Sequence, residues 1–245
     1  MNTNNSFTAV PREELTAEQM AEMLGLLAKH FEGVTAEQFA RDLAEKNWVV
    51  MICKEGRLVG FSTLLVYETT FEGELVSVVY SGDTIVDPAA WGSSALARGW
   101  ITAVNELRLH YPRGKYYWLL LSSGFRTYRF LPVFWREFYP HCEQADPQHM
   151  MRLRDHLAKE RFGERYDEQA GIVRFSQPQR LRQELREVPE SRRDDPHVEL
   201  FLKLNPGHGQ GDELVCLTEL CAENLTRAGR RMVAPQSREA CCDHN

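Results

Sequence analysis

The spacing of apolar residues changes period along this chain, and each change marks an element. Met20, Leu24, Leu27 and Phe31 recur at helical spacing, as do Phe39 and Leu43. Each run follows the same tetrapeptide, Thr16-Ala17-Glu18-Gln19 and Thr35-Ala36-Glu37-Gln38, which fits a capping box with threonine as N-cap and glutamine at N3. The pattern then turns β-like. Trp48 to Cys53 and Leu58 to Tyr67 are β-branched and aromatic, joined through Lys54-Glu55-Gly56-Arg57, and so predict a hairpin. Phe71-Glu72-Gly73-Glu74 predicts a second turn into a strand running from Leu75 to Val86, which completes an antiparallel meander. Asp87 to Ser94 breaks the strand, and Ala95 to Leu109 resumes with Leu96, Trp100, Ala103 and Leu107 on one helical face. Tyr116 to Leu121 is a continuous apolar run, read as a buried strand parallel to the one before the helix. The aromatic run from Tyr128 to Tyr139 predicts a helix with Pro132 in its first turn, ending before Pro140.

Past Cys142 the pattern is more polar. Residues 150–170 and 177–195 are rich in Arg and Glu and read as solvated helices around a short strand at 171–175. Val198 to Leu204 alternates like a strand, Asn205 to Gly211 reads as a loop, and Asp212 to Arg227 reads as a helix. The expected organisation is a core over 1–142, a C-terminal half over 143–232 that completes the sheet, and a disordered tail over 233–245.

Bulk properties narrow the function classes. The 43% apolar content allows an ordinary core, and the net charge of −6 argues against a nucleic-acid partner. No apolar run approaches the roughly 20 residues of a membrane span, and Met1 to Ser6 lacks the parts of a signal peptide. A cytoplasmic protein with no membrane association is expected. The six cysteines contain no CxxC pair, so neither a disulfide framework nor a zinc ribbon is expected, and no metal.

The passage from strand to loop to helix over 74–109 is the most informative stretch. Such a joint aims unpaired backbone N–H groups at one point, where they can hold an anion such as a pyrophosphate. Two helices, a meander, this joint, a further strand and an aromatic helix form an order that resembles the GNAT acyltransferase superfamily over residues 6–140. Val86-Asp87-Pro88 stands where that family ends its fourth strand, and Trp91-Gly92-Ser93-Ser94-Ala95-Leu96 stands where its Gly-rich phosphate loop lies. The loop departs from the family pattern, because Trp91 replaces an arginine and Ser94 and Leu96 replace later glycines.

The resemblance implies an α/β fold: a mixed, mostly antiparallel sheet with one splayed parallel pair of strands, extended at the C-terminus. It also implies acyl transfer from acetyl-CoA or another acyl-CoA to an amine of a small molecule or protein. On this basis Ile85, Val86, Trp91, Gly92, Ser93, Ser94, Ala95, Leu96, Ser122, Ser123 and Arg126 are the expected cofactor-binding residues. The chemistry needs a base for the amine and an acid for the departing thiolate. Asp83, in the middle of its strand, is the expected base, and Tyr128 the expected acid. Two alternatives stay open: a GNAT-fold ligand sensor or interaction module without catalysis, and a transferase whose donor is an acyl carrier protein or an aminoacyl-tRNA. A homodimer is also compatible with the long C-terminal third.

Overall fold

The computed structural model describes residues 5–90, 94–143 and 148–233. Its sheet starts with β1 (Asn5–Pro11), which pairs antiparallel with β2 (Trp48–Lys54) from Asn5 opposite Lys54 to Pro11 opposite Trp48. β3 (Arg57–Phe71) and β4 (Glu74–Val86) continue the antiparallel run. Both connections are two-residue turns, Glu55-Gly56 and Glu72-Gly73, with all four residues at positive φ. That is the mirror-image turn geometry whose twist suits adjacent strands, and glycine at the second position makes it accessible.

β5 (Lys115–Ser122) lies parallel to β4, in register from Val76 opposite Lys115 to Ser81 opposite Leu120. The other edge of β5 pairs antiparallel with β8 (Glu213–Glu219), and the sheet ends in two short strands, β6 (Tyr166–Asp167) and β7 (Ile172–Val173). The spatial order is β1-β2-β3-β4-β5-β8-β7-β6. This is the GNAT-like mixed sheet that the resemblance implied, with one parallel pair at its centre.

Helix α1 (Ala17–His30) and α2 (Ala36–Ala44) start at Thr16 and Thr35, whose side chains accept from the amides of Gln19 and Gln38. Their buried residues Met23, Leu27, Phe39 and Leu43 pack on Val49, Met51 and Phe61 of the sheet. The inward face of α1 is therefore Met23, Leu27 and His30, while Met20 stays exposed. Helix α6 (Gln148–Phe162) packs Leu153, Leu157 and Phe162 against Val78, Leu119 and Val215 in a second cluster. Helix α3 (Ala95–Leu107) contributes Trp100, Ala103, Val104 and Leu107 to the largest cluster, where Trp100, Trp118 and Trp135 meet.

Several expectations need correction. The sheet has a further first strand, β1, which the hydrophobic pattern does not predict. Residues 198–204 belong to a helix, α8 (Pro196–Leu204), and residues 213–219 to a central strand. Asp195 caps α8 by accepting from the His197 amide, and Pro196 presets its first turn, so Val198 and Phe201 point inward together. Leu214-Val215-Cys216-Leu217 is buried throughout, as a strand covered on both faces must be. The aromatic run divides into α4 (Phe125–Tyr128) and α5 (Phe130–Phe134) and then becomes extended, with Trp135 opposite Leu225 and Tyr139 opposite Leu217. Pro132 does sit in the first turn of α5.

Candidate active site

β4 and β5 part because β4 carries an extra residue at the right place. Ser62 faces Thr84 and Leu64 faces Ser81, so Gly82 and Asp83 on β4 oppose Thr63 alone on β3. Such a bulge bends its strand and increases its twist. It follows directly after Ser81, the last β4 residue in register with β5. Beyond it β4 runs on to Val86 along β3, while β5 runs to Ser122 along β8. A Cβ on Gly82 would lie 2.6 Å from Lys46 Cε and 2.9 Å from Thr63 Oγ1, so a larger residue there would have to displace those side chains.

The gap opens into a cavity of about 780 Å³. One wall is apolar and leads to the start of α3, with Ile85, Val86, Ser94 and Ala97. The other carries charge: Asp42 in the last turn of α2, Glu45 and Lys46 just after it, Asp83 on the bulge, Arg161 on α6 and Glu213 at the start of β8. A segment between β7 and α8, which includes the short helix α7 (Gln183–Arg186), lines the cavity with Gln177, Leu181 and Leu185. It is tied to the end of α1 by pairing of Phe31 with Leu181, and by the Arg182 guanidinium donating to the carbonyls of Ala28 and Lys29.

Asp83 and Glu213 are the unusual groups. Asp83 Oδ2 is fully enclosed and has no hydrogen-bond partner. Burial pushes the Asp83 carboxyl up to about 6, with Lys46 opposing the shift and Asp42 adding to it. Burial likewise pushes Glu213 up to about 8, helped by Asp83 and Asp42, and its side chain makes no hydrogen bond or ion pair with the described residues. The nearby cations are only partly engaged: Lys46 acts on Asp83, and Arg161 Nε has no hydrogen-bond partner. Lys46 Nζ donates to the Asp42 carbonyl at 2.8 Å and stands over the Tyr80 ring, and burial lowers its pKa. Arg161 pairs with Glu45 and covers Tyr80 from its own side. Burial holds the Tyr80 hydroxyl protonated well above its usual range. At neutral pH the cavity therefore offers one carboxylate suited to accept a proton and one carboxyl that retains its own.

The other expected site residues fall into three groups. Ile85, Val86, Ser94, Ser123 and Arg126 line the cavity, and Arg126 also donates to the Leu185 carbonyl. Trp91, Gly92 and Ser93 lie outside the described residues, as do the side chains of Ala95 and Leu96, whose backbone opens α3. Ser122 and Tyr128 are turned away from the cavity. Ser122 Oγ donates to the Gly124 carbonyl at 3.0 Å. Tyr128 is wholly buried among Phe138, His197 and Phe201, and its hydroxyl donates to the Pro140 carbonyl at 2.8 Å. The expectation that Tyr128 supplies the acid meets this packing, which gives its proton a fixed acceptor inside the core.

Asp87 ends β4 as a brace. It pairs with Lys29 at 2.5 Å and accepts from the Ala89 amide, and the Lys29 hydrogen bond holds its carboxyl below the usual carboxylate range. Cys142 meets His197 across 3.2 Å, but burial raises the thiol, which keeps it from being an activated nucleophile. Glu213, Lys46 and Arg161 were not singled out in the sequence. Glu213 was hidden by its assignment to a helix, and the other two sit within ordinary runs of charge. Among the described residues there is no group of three or more His, Cys, Asp or Glu side chains placed to hold a metal. No helix among them is long and apolar enough to cross a membrane.

No protein-family model matches the chain, and no curated protein matches it. Solved structures do resemble it. One is a conserved protein of unknown function from Enterococcus faecalis, described as a probable N-acyltransferase, at 18% identity over 52% of this chain with a TM-score of 0.42. The match spans only 31% of that protein's length. An acyl-CoA N-acyltransferase from Pseudomonas aeruginosa matches at 20% identity over 47% of this chain and 79% of its own, with a TM-score of 0.36. ElaA from Escherichia coli matches at 17% identity over 58% of this chain and 93% of its own, with a TM-score of 0.38. With TM-scores this low, none of these likenesses bears on activity.

Proposed function

We propose that this chain is an N-acyltransferase that moves an acyl group from acyl-CoA directly to an amine. The observation that carries the reading is the bulge at Gly82-Asp83. It parts β4 from β5 and places an unpartnered carboxyl inside the resulting cavity. The acyl arm would lie in the splay, with the thioester carbonyl near the main chain of β4 beyond Ser81. The phosphates would lie near the start of α3, where the helix's first backbone N–H groups and the Arg126 guanidinium could meet them.

In this reaction the acceptor enters as an ammonium and gives one proton to solvent. Its nitrogen then attacks the thioester carbonyl, forming the C–N bond as the C–S bond breaks. A second proton leaves the nitrogen and passes by way of Asp83 to the departing sulfur. A carboxylate raised to about 6 is ionised at pH 7 and close enough to it for efficient transfer. β4 amides past the splay would face the oxygen on which negative charge develops.

A second reading, a ligand sensor on the same fold, draws support from Tyr128, whose hydroxyl is committed to the Pro140 carbonyl rather than to the cavity. Thiol release separates the two. Acetyl-CoA and longer acyl-CoAs are mixed with a panel of primary amines, and free CoA is followed with a thiol reagent. Amine-dependent release supports the transferase; acyl-CoA binding by calorimetry with no release for any amine supports the sensor.

A further inference from the structure

The cavity wall beyond the β4 bulge is divided by chemistry. One part is charged, from Asp42 round to Glu213. The other brings together side chains without a polar atom: Leu27 on α1, Phe31 just after it, Ile85 on β4, and Leu181 and Leu185 from the segment that follows β7. Ile85 lies two residues after Asp83 and so projects from the same face of β4. Leu27 and Ile85 share one buried cluster, and Phe31 packs against it. Phe31 stands directly opposite Leu181 in an antiparallel pair, which sets the two side chains side by side. Leu181 reaches on to the start of α4, where its Cδ1 lies 2.9 Å from the point a Cβ on Gly124 would occupy. The result is a roofed apolar recess between α1, β4 and α4, continuous with the splay.

Leu27, Ile85 and Leu185 are buried, but Phe31 and Leu181 are only half-buried. Covering that surface favours an apolar ligand and gives nothing to an ammonium. In the transfer reaction the amine belongs beside Asp83, in the charged part of the wall. What remains for the apolar part is the group on the other side of the thioester carbonyl. From Gly82 to Ile85 β4 advances about 10 Å, a reach beyond an acetyl methyl but suited to a chain of about six carbons.

We propose that this recess seats the acyl chain of the donor, and that the donor carries a medium-length acyl group such as hexanoyl rather than acetyl. The inference rests on the transferase reading above and specifies its donor. Leu181 and Leu185 are then specificity residues that touch the substrate.

Acetyl-CoA and hexanoyl-CoA are titrated into the full-length protein by calorimetry. Each buried methylene strengthens binding by about 4-fold, so even partial burial of the longer chain should make hexanoyl-CoA bind at least about 10-fold more tightly. Leu181→Asn, close in size but polar, should bring the ratio down toward one, and Leu181→Met should keep it, both while unfolding cooperatively. Leu181→Ala, which removes apolar contact without adding a polar group, reads the same ratio if the asparagine variant does not fold. Equal affinity of the parent for the two donors overturns the recess, as does a preference that the folded Leu181 variants leave intact. Transfer rates with acetyl-CoA that rise from butylamine to octylamine, without a donor preference, assign the recess to the acceptor and also overturn it. Thiol release at equal kcat/KM for both donors removes the recess and leaves the transferase. Tighter hexanoyl-CoA binding with no thiol release to any amine removes the transferase and leaves the recess.

Discussion

Replacing Glu213 by glutamine keeps its shape and removes a carboxyl that the fold holds protonated, so the change should stabilise the protein in alkaline solution only. In the unfolded chain the group titrates near 4.5, and in the cavity burial pushes it up to about 8. A folded-state value raised above the unfolded one means that folding favours the protonated form. Stability from this group is complete below about 4.5, falls as pH rises through the window, and is fully lost above about 8. At 1.36 kcal/mol per unit the shift has a ceiling of about 5 kcal/mol. Water reaches the cavity and Asp83 shares the effect, so about 2 kcal/mol is the expected gain at pH 9. In a chain of this size that raises Tm by about 4–8 °C. The assay is calorimetric unfolding of the parent and Glu213→Gln at pH 5, 7 and 9. Tm differences near zero at pH 5 and growing toward pH 9 support the reasoning. A difference that is the same at all three values means the carboxyl is solvated and ionises freely.

Three other substitutions probe separate parts of the account. Asp83→Asn should lower kcat/KM for acyl transfer by about 10²–10⁴-fold and abolish the acidic limb of its pH profile, which in the parent should fall near pH 6; an unchanged limb would assign the base elsewhere. Tyr128→Phe should cost about 1 kcal/mol in denaturant unfolding through loss of the bond to the Pro140 carbonyl, with transfer rates unaffected. A large fall in rate without loss of stability would return Tyr128 to the chemistry. Gly114→Ala should destabilise by more than about 3 kcal/mol, since Gly114 has φ +65° and a Cβ there would fall 1.8 Å from the Leu75 carbonyl oxygen; a change below about 1 kcal/mol in the same assay would show that the start of β5 can move.

The sequence was most legible where one local signal decided the structure. The Glu-Gly turns at 55–56 and 72–73 mark both hairpins, and the threonine caps mark α1 and α2. It was least legible where burial on both sides hides the period. Val198 to Leu204 alternates by accident, yet the Asp195 cap and Pro196 make it a helix, while the unbroken run from Leu214 to Leu217 is a central strand. β1 is short, sits at a sheet edge and starts among polar residues, so nothing local announces it. The site follows the same division. Asp83 is legible because a carboxylate in the middle of an apolar strand stands out. Glu213 becomes meaningful only once β8 is placed beside β5. The bulge that joins the two halves of the site depends on pairing between β3 and β4, which one strand's sequence does not display.

The central claim is that the splay between β4 and β5 receives the acyl-CoA arm. Hydrogen exchange of the backbone amides, followed by mass spectrometry with and without saturating acetyl-CoA, tests it most directly. Slower exchange is expected in peptides covering Gly82 to Val86 and Ser122 to Arg126, with the β1–β2 edge of the sheet unchanged. Unaltered exchange in both segments at millimolar acetyl-CoA, or protection confined to other parts of the chain, would contradict it.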